Sequence, residues 1–184
     1  MHKESLINHL LASQLILDES GVKEGSFVAN LGCGSNGYLV FKLAEIVGKH
    51  GAVYAVDIIK TNLETIKRQT KLHNLANIKP IWSDLDIAKA TKINNNSLDC
   101  TLLINTLHQS KDKKTMLTEA ARLLKSGGRL VVIDWKKVAA PLGPQPEHKV
   151  DKELVISLAK TNSLSLIKEF LPGNYHYGLT FVKI

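Results

Sequence analysis

The sequence predicts an α/β fold: a mostly parallel, doubly wound sheet with helices on both faces and an antiparallel finish. Three observations predict it. Short strand-like apolar runs alternate with amphipathic helical segments along most of the chain. The first of those runs, Phe27 to Leu31, breaks off in a glycine cluster that opens the next helix. At the far end, Leu164 to Phe170 and Tyr177 to Lys183 flank a Pro172-Gly173-Asn174 turn with no helix between them, so the sheet closes in a hairpin.

The 184 residues give room for one domain with a full core. Hydrophobic content of 44% and charged content of 22% are those of an ordinary globular protein. Cys33 and Cys100 make neither a metal spacing nor a disulfide framework, which fits a reducing, cytoplasmic setting. The polar start is unlike a signal peptide, and no apolar run reaches the length of a membrane span. With 24 basic and 17 acidic residues the net charge is +7, which admits an RNA or an acidic protein as partner. Aromatic residues, at 5%, offer few stacking platforms for single-stranded nucleic acid.

Residues 4 to 20 carry Leu6, Ile7, Leu10, Leu11, Leu15 and Leu17 at helical spacing, and Gly21 stands where that helix should stop. Strand 1 then runs into Gly32-Cys33-Gly34-Ser35-Asn36-Gly37. Glycines here permit positive φ and let a ligand approach the backbone. The following helix, with Leu39, Leu43, Ala44 and Val47, aims its free N–H groups at that turn, a favourable place for an anionic group. Strand 2, Ala52 to Val56, ends in Asp57, an acid spaced to accept hydrogen bonds from ribose hydroxyls. Thr61 or Asn62 caps the next helix, and Ile78 to Trp82 forms strand 3. Leu98 to Leu103 is strand 4. Ser110 or Asp112 opens a helix that the Lys125-Ser126-Gly127-Gly128 stretch is expected to cap. Arg129 to Trp135 is strand 5, residues 136 to 150 form a proline-rich loop, and Asp151 to Asn162 is helical.

Asn30, Asp57, Asp84, Asn105 and Asp134 thus fall at five consecutive strand ends, which in an open parallel sheet share one ligand-binding rim. This arrangement resembles the class I S-adenosylmethionine-dependent methyltransferases over nearly the whole chain. Asn30-Leu31-Gly32-Cys33-Gly34 is similar to the family's glycine motif, Val56-Asp57-Ile58 to its ribose-binding motif and Ser83-Asp84-Leu85 to its adenine motif. Leu123-Leu124-Lys125-Ser126-Gly127-Gly128-Arg129-Leu130 resembles its late signature. Val132-Ile133-Asp134-Trp135 and the Pro141 to Pro146 stretch followed by His148 look most like the small quinone-biosynthesis-like, or type 11, subgroup.

The resemblance implies a Rossmann-like sheet of seven strands and S-adenosylmethionine as cofactor, with no metal. It places Asn30, Gly32, Cys33, Gly34, Asp57, Ile58, Asp84, Leu85 and Asn105 around that cofactor. His108, just past strand 4, is the candidate catalytic base. The implied activity is methyl transfer to a small molecule, quinone-like or otherwise aromatic. RNA or protein methylation is the alternative, as is a member without catalysis that serves as a binding subunit. Two positions depart from the family pattern: Asn30 stands in the place of an acid, and Asn36 holds the slot of the third glycine, with Gly37 one later.

Overall fold

A computed structural model describes residues 11–140 and 142–184. Leu6, Ile7 and Leu10 of the expected first helix lie outside them. Among the described residues the first helix is α1 (Ser13–Ser20), which starts after its N-cap Ala12, so that Leu11 precedes it, and which Gly21 closes at φ +63°. There follow β1 (Phe27–Leu31), α2 (Tyr38–Val47), β2 (Ala52–Asp57), α3 (Lys60–Leu72), β3 (Ile78–Trp82) and β4 (Leu98–Ile104). The remainder is α4 (Lys113–Leu123), β5 (Leu124–Trp135), α5 (Lys152–Lys160), β6 (Leu164–Gly173) and β7 (His176–Lys183).

All seven strands join one sheet in the order β3-β2-β1-β4-β5-β7-β6. The first five are parallel neighbours, and β7 inserts antiparallel between β5 and β6. The chain order reverses between β1 and β4, so the switch point lies beside the glycine turn. Alternation along each strand divides the core in two. Val28, Val53, Leu102 and Ile133 pack under α1, α2 and α3. Ala29, Leu31, Leu103, Val132 and Phe181 pack under α4 and α5. Burial on both faces explains why the central strands read as unbroken apolar runs.

Three boundary expectations are corrected. Neither Thr61 nor Asn62 caps α3, which begins at Lys60; the Asp57 carboxylate accepts the Ile59 N–H at 2.8 Å instead. The Gly127-Gly128 pair does not cap α4. The helix ends at Leu123, and Leu124 already pairs with Leu98, so the glycines sit within β5, where Gly127 at φ +77° accompanies a register shift. Finally, β6 extends through Gly173, which leaves Asn174 and Tyr175 as the hairpin turn. Of the two residues expected to open α4, Asp112 caps it by accepting the Thr115 N–H; Asp151, read as the first residue of α5, is instead its cap and accepts the Glu153 N–H.

Candidate ligand site at the carboxyl rim of the sheet

The glycine turn is built around Asp57. Its Oδ2 accepts the Gly34 N–H at 2.9 Å and the Asn62 side-chain amide at 3.3 Å, while Oδ1 accepts the Ile59 N–H. One carboxylate therefore ties the turn after β1 to the start of α3. Gly32, Gly34 and Gly37 all adopt positive φ (80°, 70° and 55°). Asn36 does not. Gly37 takes the left-handed role, and Asn36 instead accepts the Tyr38 N–H at 3.3 Å. The displaced glycine thus preserves the turn by shifting the left-handed residue one position on.

The glycines differ in what surrounds them. A Cβ on Gly32 would meet Thr106 Cγ2 at 2.5 Å, whereas one on Gly34 would meet nothing within 4 Å. Gly32 is required by packing, and Gly34 leaves open space. That space belongs to a cavity along the rim, lined by Gly32, Gly34, Asp57, Ile58, Asp84 and Leu85 of the predicted residues. Ile58 is 52% exposed, an apolar surface free to carry a flat ring. Asp84 Oδ1 accepts the Asp86 N–H at 2.9 Å, so Asp84 serves its own turn as well as lining the cavity.

Asn30, Cys33, Asn105 and His108 lie outside the cavity wall. Asn30 is buried near the end of β1, and its Oδ1 has no hydrogen-bond partner among the described residues. Asn105 follows β4 at φ +55°, and its Oδ1 is likewise buried and unpaired. Two orphaned carbonyl oxygens beside a glycine turn suit donors supplied from outside the chain. The Cys33 thiol is pushed well up by burial and then by the neighbouring Asp57 charge, which makes it an inert packing residue.

His108 sits in a short 3₁₀ turn, Leu107–Gln109. Its ring Nδ1 lies 2.9 Å from Asp134 Oδ1, and its backbone N–H donates to Asp134 Oδ2 at 3.1 Å. Asp134 is fully buried and also accepts the Trp135 N–H at 2.8 Å. His148, after the proline-rich stretch, is exposed. The 136–150 loop packs on Trp135 through Gly143, where an added Cβ would approach the indole to 2.7 Å.

Sequence reasoning missed Ile59, Asn62, Ser83, Asp86, Thr106, Gln109, Ser110 and Met116, which complete the cavity. Asp86 is the most organised of them. Partial burial works upward on its carboxyl group, but the Ser110 hydroxyl and the Lys111 and Asp112 N–H groups hold it below the usual carboxylate range. The one sequence signal for it was a second acid two residues after Asp84 in the loop beyond β3. His176, also missed, is fully buried with neither ring nitrogen paired, its ring centroid 4.1 Å from that of Trp135.

A family profile described as a methyltransferase domain matches residues 23–170. The ubiquinone/menaquinone biosynthesis C-methyltransferase UbiE of Hahella chejuensis is 32% identical over 135 residues, covering 73% of this chain and 53% of that protein. The chain thus spans about half the length of the curated relatives it matches. A structure of an S-adenosylmethionine-dependent methyltransferase from Aquifex aeolicus superposes with a TM-score of 0.85 at 24% identity, covering 100% of both chains. One from Sulfolobus solfataricus, attributed to the type 11 methyltransferases, gives 0.75 at 27% identity, covering 95% of this chain and 94% of that one.

Proposed function

Because the chain belongs to the methyltransferase-domain family, we propose that it transfers a methyl group from S-adenosylmethionine to a small aromatic acceptor of the quinol type. The observation that carries the reading is the rim cavity in which Gly32, Gly34, Asp57, Ile58, Asp84 and Leu85 converge. Each offers what one part of the cofactor needs. The open backbone at Gly34 admits close approach, the Asp57 oxygens accept from ribose hydroxyls, and Ile58 with Leu85 flank the adenine while Asp84 accepts from its amino group. The unpaired Asn30 oxygen suits the methionyl ammonium as a neutral acceptor, a weaker hold than a carboxylate would give.

When bound, the cofactor supplies an electrophilic methyl on a sulfonium sulfur that leaves as a neutral thioether. The chain's contribution is positioning, the term that dominates a direct displacement. His108, past β4 beside Asn105, is the base that takes the acceptor's proton. The quinol class of acceptor is supported by the name of the matched relatives, and a ring carbon made nucleophilic by loss of a hydroxyl proton is the chemistry a base serves.

Calorimetric titration with S-adenosylmethionine, S-adenosylhomocysteine and NAD tests the cofactor. Saturable binding of the two sulfur nucleosides, lost in Asp57→Ala and absent for NAD, is the expected result. Equal binding by wild type and Asp57→Ala would reject the site. Methylation of a 2-alkyl-1,4-naphthohydroquinone, followed by mass spectrometry, tests the acceptor class. Cofactor binding without transfer to that acceptor, but with transfer to RNA, would replace it.

A further inference from the structure

We infer that Asp134 is the positioning residue of His108, holding its ring so that Nε2 is the proton acceptor of the methyl-transfer step. The inference rests on the reading of His108 as base and adds how the chain makes it one.

Asp134 grips His108 at two points, the backbone N–H through Oδ2 (3.1 Å) and ring Nδ1 through Oδ1 (2.9 Å). Both oxygens of one carboxylate thus fix the peptide and the imidazole of the same residue, which leaves the ring little rotational freedom. A carboxylate only accepts hydrogen bonds, so Nδ1 must carry the hydrogen and the lone pair falls on Nε2, at the far edge of the ring. The Trp135 N–H donates to Asp134 as well and holds the carboxylate in place.

The other ionisable groups near Asp134 do not compete for it. The Lys149 ammonium donates to the Val138 carbonyl at 2.7 Å, and that of Lys136 to the Asn174 carbonyl at 3.1 Å. Tyr177, Asp134's partner across the β5–β7 ladder, makes no hydrogen bond through its hydroxyl. His176 makes none either, and burial lowers it to about 4, so it stays neutral near pH 7. The charge of Asp134 is left for the imidazolium that forms when His108 takes up a proton. That proton comes from an O–H or C–H of the acceptor, ends on Nε2, and passes to water after product release.

Asp134→Asn separates positioning from packing. An NH₂ in the place of Oδ1 would face the Trp135 N–H as well as Nδ1, and one in the place of Oδ2 would face the His108 N–H, so either orientation breaks one grip on His108 and removes the charge that holds the hydrogen on Nδ1. The first readout is the histidine tautomer, by ¹⁵N long-range correlation spectra at pH 8 with His108 assigned through His108→Gln. Wild type should show the Nδ1–H form, and Asp134→Asn a larger share of the Nε2–H form. The second is turnover of the 2-alkyl-1,4-naphthohydroquinone. Asp134→Asn should lower kcat by about 10²–10⁴-fold, the range of general-base catalysis, with KM and S-adenosylhomocysteine affinity within about twofold. His108→Gln, which leaves Asp134 in place, should lower kcat comparably and serves if Asp134→Asn does not fold. An Nε2–H tautomer in wild type, or wild-type kcat in either variant, would overturn the inference. Failure of wild type to use this acceptor would reject the quinol class alone, and the tautomer pair would still decide the role of Asp134.

Discussion

Asp57 and Asp134 are both strand-end acids, and each collects hydrogen bonds from a turn that sequence distance separates from it. The first stood out in the sequence by its twenty-residue spacing from the glycine turn, but as an acceptor for ribose and not as the group that holds the turn. The pairing of Asp134 with His108 was not legible there, since it exists only because β4 and β5 are neighbours in the sheet. His176 was overlooked because an isolated histidine at a strand start has no pattern at all, yet burial gives it a measurable consequence. Desolvation foremost holds its pKa down at about 4, against an upward pull from Asp134; His108, Lys136 and Lys149 add to the depression. In the unfolded chain it titrates near 6.5. Between those values the unfolded state binds more protons, so this group's effect is nil above pH 6.5 and destabilising as pH falls toward 4, by up to about 3 kcal/mol. Urea unfolding of wild type and His176→Phe, which keeps an aromatic ring on Trp135, should differ by a smaller pH slope in the variant over that window. Identical slopes would mean that His176 is protonated in the folded protein.

At the level of elements, the turn between β1 and α2 separates two uses of glycine that a motif does not distinguish. Gly32→Ala drives a methyl into Thr106, whose hydroxyl also bonds the Leu31 and Ile104 carbonyls at 3.1 Å and so cannot yield cheaply. Gly34→Ala meets open space and costs only the left-handed backbone, about 1–2 kcal/mol. Its methyl, however, stands where a ligand would approach. Gly34→Ala should therefore remain folded with S-adenosylhomocysteine affinity reduced tenfold or more, and Gly32→Ala should be the less stable of the two, as read by thermal melts and calorimetry. Undiminished affinity in Gly34→Ala would detach the turn from the ligand. The element boundaries missed in the sequence share one physical cause. Caps at Thr61 or Asn62 and at Gly127-Gly128 are sound local chemistry, but a carboxylate from β2 and strand pairing with Leu98 reach those positions first. Tertiary partners decide between locally acceptable ends.

For the whole molecule, the question is whether the rim or the surface charge governs binding. The mostly parallel sheet and its antiparallel finish were legible because helix and strand periods alternate along most of the chain, whereas the strand order, which puts the ligand cavity beside the switch point, comes from the pairing of strands distant in sequence. The charge of +7 has no such focus in the sequence. Among the described residues no helix is long and apolar enough to cross a membrane. A ligand that binds only the folded state stabilises it by about 2.7 kcal/mol at a hundredfold excess over Kd. For a chain of this size that corresponds to a rise in Tm of about 5–10 °C. S-adenosylhomocysteine should produce such a shift, and because the contacts proposed for it at Asp57, Ile58, Asp84 and the Gly34 backbone involve no phosphate, the shift should barely change between 50 and 200 mM salt. An RNA acceptor behaves oppositely, since each neutralised phosphate releases counterions and affinity falls steeply over the same range. Scanning calorimetry with S-adenosylhomocysteine, run beside RNA binding in the same salt series, separates the two. A salt-insensitive shift with only weak, salt-labile RNA binding assigns the molecule's specificity to the rim, whereas tight RNA binding that survives 200 mM salt would assign it to the basic surface.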